Sequence, residues 1–288
     1  MNGAVSYGLD PVGNRTSNSS TLAGVATVSL NSFNLDDWLS RESYDANGNT
    51  TYTGGSTFAY DSENHLTSMN NGAVSILYDG FGNRVAETAG GVTTKYLVED
   101  DVNPTGLPQV FEESVNGAVQ RTYTYGLQRI SEDQVINNSW TPSFYGYDGL
   151  GSVRQLTNFA GTVTDTYSYD AFGNLLNSTG TTSNNYLYRG EQYDPALNLY
   201  YLRARYYNPA TGRFLSRDPE EGKYWDPKTL HKYLYVGSNP VNYVDPRGRD
   251  LFENSIRANA AIPEAKLIDI YGCVADASLT YPSGQGHG

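Results

Sequence analysis

The chain has 288 residues, and 31 acidic side chains against 19 Lys and Arg give it a formal net charge of −12. Nucleic acid and anionic membrane are disfavoured as main partners, because both would repel so acidic a protein. No stretch approaches the roughly 20 apolar residues of a membrane span, and a single cysteine, Cys273, leaves no intramolecular disulfide and no cysteine-based metal site.

Charge divides the chain into three parts. Residues 1–185 carry −12, residues 186–249 carry +3 and residues 250–288 carry −3. We expect a β-sheet segment over 1–185, a separate core module over 186–250 and a short variable tail over 251–288. The opening MNGAVSYGLDPVGNRTSN lacks the basic and apolar regions of a signal peptide, so export would depend on another segment or machine.

In the first part an aromatic residue, an aspartate and a Gly-Asn type turn recur. The copies are YDANGNTT from Tyr44, YDSENHLT from Tyr60, YDGFGNRV from Tyr78, YDGLGSVR from Tyr147 and YDAFGNLL from Tyr169, with YGLDPVGNR from Tyr7 as a looser one. Start-to-start spacings of 16, 18 and 22 residues suit two short strands and two turns, which predicts β-hairpins. Asp accepts backbone hydrogen bonds in such a turn, and Gly or Asn supports positive φ. Alternating segments such as Asn83-Arg84-Val85-Ala86-Glu87-Thr88 follow, as a half-buried strand requires. One hairpin is marginal alone, so successive units are expected to pair edge to edge into a long, curved antiparallel sheet. The expected fold class is mainly β.

Residues 186–249 hold eleven of the 25 tyrosines and ten of the 19 basic residues. Arg189, Arg203, Arg205 and Arg213 alternate with tyrosines, which predicts a half-buried network of cation–π and hydrogen-bonded contacts rather than a binding patch. The pairs Tyr200-Tyr201 and Tyr206-Tyr207 are candidates for a sugar-stacking surface, with core packing the favoured role.

These motifs carry a family resemblance. The YDxxGN units resemble the YD repeats of the Rhs family, and YDPALNLYYLRARYYNPATGRFLSRDP followed by NPVNYVDPRG resembles the Rhs repeat-associated core that closes those arrays. The stretch YLVEDDVNPTGLPQVFEE at 96–113 is similar to a connecting segment of bacterial wall-associated and Rhs-type proteins. The resemblance runs over residues 5–250 and implies a β-shell enclosing a C-terminal polypeptide, often a toxin. It also implies a core that plugs one end and cleaves its own chain, by an aspartate-dependent reaction, just before the tail. On matching positions it implies Asp218 and Asp245 as the catalytic pair, with Arg217 as the basic neighbour.

Peptide hydrolysis by carboxylates needs two acids whose pKa values are pushed apart. Asp218 and Asp245 are 27 positions apart and meet only if the chain folds back, for which Gly222, Gly237 and Pro240 supply turns. Arg217 would keep one carboxylate ionised and leave its partner as the acid. The cleavage region is expected at Gly248, Arg249, Asp250 and Leu251, with the bond between residues 249 and 252. The family usually has an apolar residue directly after DPxG, whereas Arg249 and Asp250 precede Leu251 here, so the cut is expected to shift to Leu251 or be lost. Taken singly, an Asp-Pro pair is an ordinary turn opener, and that reading is kept for Asp194 and Asp226. His65, His231 and His287 are scattered without an HExxH-like spacing, and no GxSxG or Walker sequence occurs; no metal or cofactor is expected.

The tail is Ala-rich and helix-compatible, with Pro263 placed as a first-turn residue, and 38 residues are too few for an independent enzyme. The chain is expected to be the C-terminal fragment of a larger exported protein, secreted or at the cell surface, whose partner is its own tail held as cargo. The alternative is a non-catalytic structural or adhesive module that binds cell-surface glycan or protein. A diffusible hydrolase is the weakest reading, for want of another catalytic constellation.

Overall fold

A computed structural model describes residues 3–249 apart from positions 23, 24, 26, 29, 30 and 226, together with residues 252 and 253. The helix-compatible stretches of the tail lie outside the described residues.

A first hairpin joins β1 (Val5–Leu9) to β2 (Arg15–Ser20). One 14-stranded antiparallel sheet follows. Its strands are β3 (Ser43–Tyr44), β4 (Thr50–Thr53), β5 (Ser56–Tyr60), β6 (Leu66–Met69), β7 (Val74–Tyr78), β8 (Arg84–Ala89), β9 (Val92–Glu99), β10 (Gln109–Val115), β11 (Ala118–Tyr125), β12 (Arg129–Ile136), β13 (Ser139–Tyr147), β14 (Val153–Thr157), β15 (Val163–Tyr169) and β16 (Leu175–Thr179). Each strand pairs with its neighbours in sequence, so the sheet is an uninterrupted meander whose end strands β3 and β16 do not pair with each other. The expected mainly-β, hairpin-built antiparallel sheet is what the chain forms.

The aspartate of each repeat builds its turn directly. Asp79 Oδ1 accepts the amides of Phe81 and Asn83, both at 2.9 Å, and Asp79 Oδ2 accepts Asn83 Nδ2 at 3.2 Å. Those hydrogen bonds hold the Asp79 carboxyl below its ordinary value, against the opposing effect of its partial burial. Gly82, at φ +82°, takes the left-handed corner, which closes a three-residue hairpin loop with a bulge at Tyr78. Asp10, Asp45 and Asp170 repeat the arrangement with Asn14, Asn49 and Asn174. His65 takes the Asn position after Asp61. Asn158 stands in for the aspartate in an additional turn that no Tyr-Asp pair marks, accepting Ala160 and Thr162 amides at 3.0 Å.

In four of the units the tyrosine before the aspartate ties its unit to an earlier strand, whereas Tyr44 donates to Glu42 Oε2 at 2.7 Å. Tyr60 donates to the Thr50 carbonyl at 2.9 Å, Tyr78 to Leu66 at 2.8 Å, Tyr147 to Arg129 at 2.7 Å and Tyr169 to Val153 at 2.9 Å. Each of these four acceptors is the first residue of a strand, so the repeating tyrosines form a row of hydrogen bonds across the sheet. Each such bond contributes about 1 kcal/mol.

A second sheet, of four strands, lies against the first: β17 (Gln192–Asp194), β18 (Leu199–Leu202), β19 (Arg205–Asn208) and β20 (Arg213–Phe214). Period-two alternation divides its side chains between two faces. Tyr200, Leu202, Tyr207 and Phe214 pack with Val153, Leu156 and Tyr167 of β14 and β15. Leu199 and Tyr206 pack with Phe58, Leu66, Met69, Val74 and Ile76 of β5 to β7. Strands far apart in the large sheet thus touch opposite faces of the small one, which requires the large sheet to curve around it. Burial on both faces also explains why LYYL and YY carry large side chains at consecutive positions instead of alternating with small polar ones. With Tyr200 and Tyr207 each 1% exposed, the tyrosine pairs are core and not a sugar-stacking surface.

The interior is polar as well as aromatic. Buried Arg84 pairs with Glu87 and Asp194, each at 2.9 Å, and lies over the rings of Tyr96 and Tyr201. Arg129 sits against the Tyr186 ring, 3.1 Å from its centroid. Finally, β21 (Tyr243–Val244) pairs antiparallel with β22 (Phe252–Glu253).

Candidate active site

Asp218 and Asp245 do come together, and the group that joins them is Arg205. Arg205 Nη2 lies 2.8 Å from Asp218 Oδ2 and 3.7 Å from Asp245 Oδ2. Arg205 opens β19 on the same face as Tyr207, with its guanidinium carbon 3.7 Å from the centroid of the Phe214 ring. Its remaining nitrogens donate to two carbonyls: Nη1 to Lys232 at 3.2 Å, and Nε to Gly248. Burial lowers the Arg205 pKa against the raising effect of the two aspartates.

Arg217, expected to bias the pair, lies elsewhere. Its Cδ is 2.4 Å from where a Cβ on Gly48 would stand, so its stem runs along the Asp45 turn. The sequence pointed to the neighbour of Asp218, but the arginine in contact with both carboxylates lies 13 positions upstream. That residue was read from sequence as part of a structural network. The signal that could have found it is the two-residue turn Arg203-Ala204 between aromatic strands, which puts Arg205 at a strand start facing the core.

Asp218 is fixed by its own amide, which donates to the Lys232 carbonyl at 2.8 Å, and its Oδ1 accepts Glu220 N at 3.0 Å. Burial pushes its carboxyl above the ordinary value, with Arg205 opposing. Asp245 is buried at 3% exposure, and its Oδ1 accepts the Arg249 amide at 3.0 Å. The shell aspartates make the same bond to the amide four residues on.

The peptide bond between Gly248 and Arg249 is therefore held at both ends. Its carbonyl oxygen accepts from Arg205 and its N–H donates to Asp245. Gly248 has φ +69°, and a Cβ there would stand 2.3 Å from the Leu202 carbonyl oxygen, so only glycine fits. The expected cut between residues 249 and 252 falls partly on Asp250 and Leu251, which lie outside the described residues. Asp194 serves as a turn former, as expected, with its Oδ1 accepting Ala196 and Leu197 amides. Asp226 is outside the described residues. Among the described residues no group of three or more His, Cys, Asp or Glu is gathered so as to hold a metal, and no helix is long and apolar enough to cross a membrane.

Residues 6–241 match the family described as Teneurin YD-shell. The tRNA nuclease WapA of Bacillus subtilis strain 168 is 33% identical over 257 residues, and the tRNA3(Ser)-specific nuclease WapA of Bacillus spizizenii is 34% identical over 261 residues. Each match takes in 85% of this chain but only 11% of the relative's length. Teneurin-4 of Mus musculus is 24% identical over 69% of the chain and 7% of its own length. The crystal structure of TcdB2-TccC3 superposes with a TM-score of 0.64 at 20% identity, over 85% of this chain and 14% of that one, which shows a shared fold.

Proposed function

The chain belongs to the Teneurin YD-shell family, and from that premise we propose that it is the shell and self-processing core of a larger toxin-type Rhs protein. In that reading residues 1–185 are shell, 186–250 the core plug and 251–288 a short variable tail held as cargo, in a protein exported from its cell. The observation that carries the processing step is the Gly248–Arg249 peptide bond, held between Arg205 and Asp245 with Asp218 on the same guanidinium.

The chemistry is hydrolysis. Water attacks the Gly248 carbonyl carbon and gives a proton to Asp245, while Arg205 carries the charge that develops on the carbonyl oxygen. Asp245 then delivers that proton to the Arg249 nitrogen, 3.0 Å from its Oδ1, as the C–N bond breaks. The products are a carboxylate on Gly248 and an amine on Arg249. Asp218 holds Arg205 in position. Because its carboxyl is raised, it takes up a proton at a higher pH than an ordinary Asp, and processing slows in acid as the Arg205–Asp218 pair loosens.

Intact mass of the wild-type chain beside Asp218→Asn and Asp245→Asn tests the reading. A wild-type split at residue 248 that both substitutions abolish supports it, and full-length chain in all three after long incubation rejects it. The adhesive alternative rests on Tyr224 and Trp225, an exposed ring pair 5.7 Å apart between the two aspartates. Saturable glycan binding by an uncleaved chain would favour it.

A further inference from the structure

Three consecutive residues at the β18–β19 turn grip three consecutive carbonyls of the loop after Asp245. Arg203 Nη1 donates to the Pro246 carbonyl, the Ala204 amide to Arg247 at 3.3 Å, and Arg205 Nε to Gly248. The fourth contact is steric, since Gly248 lies against the Leu202 carbonyl with no room for a Cβ. A one-residue slip of the loop would put Arg247 or Arg249 where only glycine fits.

Arg203 is the member of this set that reaches the shell. Its Nε donates to the Pro108 carbonyl at 3.1 Å, in the segment between β9 and β10, and Nη1 also meets Glu191 Oε2 at 2.9 Å. Burial raises the Glu191 carboxyl and Arg203 opposes that rise. Arg203 also holds φ +57°, a strained value for a non-glycine residue, kept by a side chain bound at three points. No step of the hydrolysis uses it.

We propose that the Arg203-Ala204-Arg205 turn is a template that sets the register of the scissile loop, and that Arg203 is a positioning residue which ties that register to the shell wall. The proposal rests on the self-processing reading and determines which bond is cut. A guanidinium fork can meet Pro108, Glu191 and Pro246 together, whereas lysine keeps the charge beside Glu191 but supplies one nitrogen.

The test compares wild type, Arg203→Lys and the double substitution Arg203→Met with Glu191→Gln, which leaves no buried carboxylate uncompensated. Product masses are followed over time, and hydrogen exchange is measured at the Ala204 and Arg249 amides. Both variants should process about 10- to 100-fold more slowly and yield more than one product mass, with faster exchange at the two amides. A role confined to stability would slow processing without changing the bond. The same single product at the wild-type rate overturns the template. If wild type is not cleaved at all, the processing reading fails separately, and equal protection of both amides in Arg203→Lys then rejects the positioning role on its own.

Discussion

Protonation of His231 should loosen the junction between the first hairpin and the core. His231 Nδ1 accepts the amides of Tyr233 at 3.1 Å and Leu234 at 3.3 Å, so Nε2 carries the hydrogen and donates to Asn14 Oδ1 at 2.8 Å. Asn14 Oδ1 also accepts from Arg213, and Asn14 Nδ2 donates to Asp10 and Asp37. A proton on Nδ1 would remove an acceptor and face two N–H groups. Burial drives the His231 pKa from 6.5 down to about 4; Arg213 adds to the depression while Asp37 and Asp10 oppose it. Between those values the unfolded chain binds a proton that the folded chain refuses, so stability is full above pH 6.5 and is lost as pH falls towards 4. The loss is about 2 kcal/mol by pH 5 and about 3 kcal/mol by pH 4. Denaturant titrations at pH 7 and pH 5 read it through Trp38, whose indole N–H donates to the Tyr233 hydroxyl at 2.9 Å and whose ring stacks on Tyr44. His231→Gln should be weaker at pH 7 but flat over that window, with other carboxylates cancelling in the difference. Equal losses in wild type and variant between pH 6.5 and 5 would refute the argument.

Three further outcomes are expected. Arg84→Met leaves Asp194 and Glu87 buried side by side, and should cost about 3–5 kcal/mol in a denaturant midpoint, recovered in part by adding Asp194→Asn. Tyr78→Phe removes the hydrogen bond to Leu66 and leaves that carbonyl unsatisfied, for a loss of about 1–2 kcal/mol; Tyr60→Phe should act alike, and the two should add if the row of tyrosines is a series of independent ties. Gly248→Ala should abolish processing and lower the melting temperature, because it combines a positive φ with a backbone clash; intact mass and calorimetry report the two effects.

The shell was legible because its signal is local. An aspartate, a left-handed glycine three positions on and an asparagine after it specify a turn without help from the rest of the chain, and four such turns stand where the repeats put them, with Asn64-His65 after Asp61 and Gly151-Ser152 after Asp148 filling the same places in two more. The Asn158 turn has no aspartate to mark it, although an amide oxygen accepts the same two backbone N–H groups. The meeting of Asp218 with Asp245 could be expected only through the family resemblance, since nothing local links positions 27 apart. Arg205 makes the buried cation–π and hydrogen-bonded contacts expected of it, and its contact with the two aspartates went unforeseen for a related reason. Sequence adjacency favours Arg217, yet the hairpin that brings β18 back along β19 decides which arginine faces the aspartates, and Arg217 runs along Gly48 instead.

The meander also has a kinetic consequence. Every strand from β3 to β16 pairs only with its neighbours in the chain, so the wall is a low contact-order structure that can grow hairpin by hairpin as the ribosome releases it. The module that fills it comes from the end of the sequence yet touches β5 to β7 as well as β14 and β15. Its docking closes the longest loops and must come last. Until then the inner face of the sheet stays open to water, and the aromatic face of β18 and β19 has no partner to pack on.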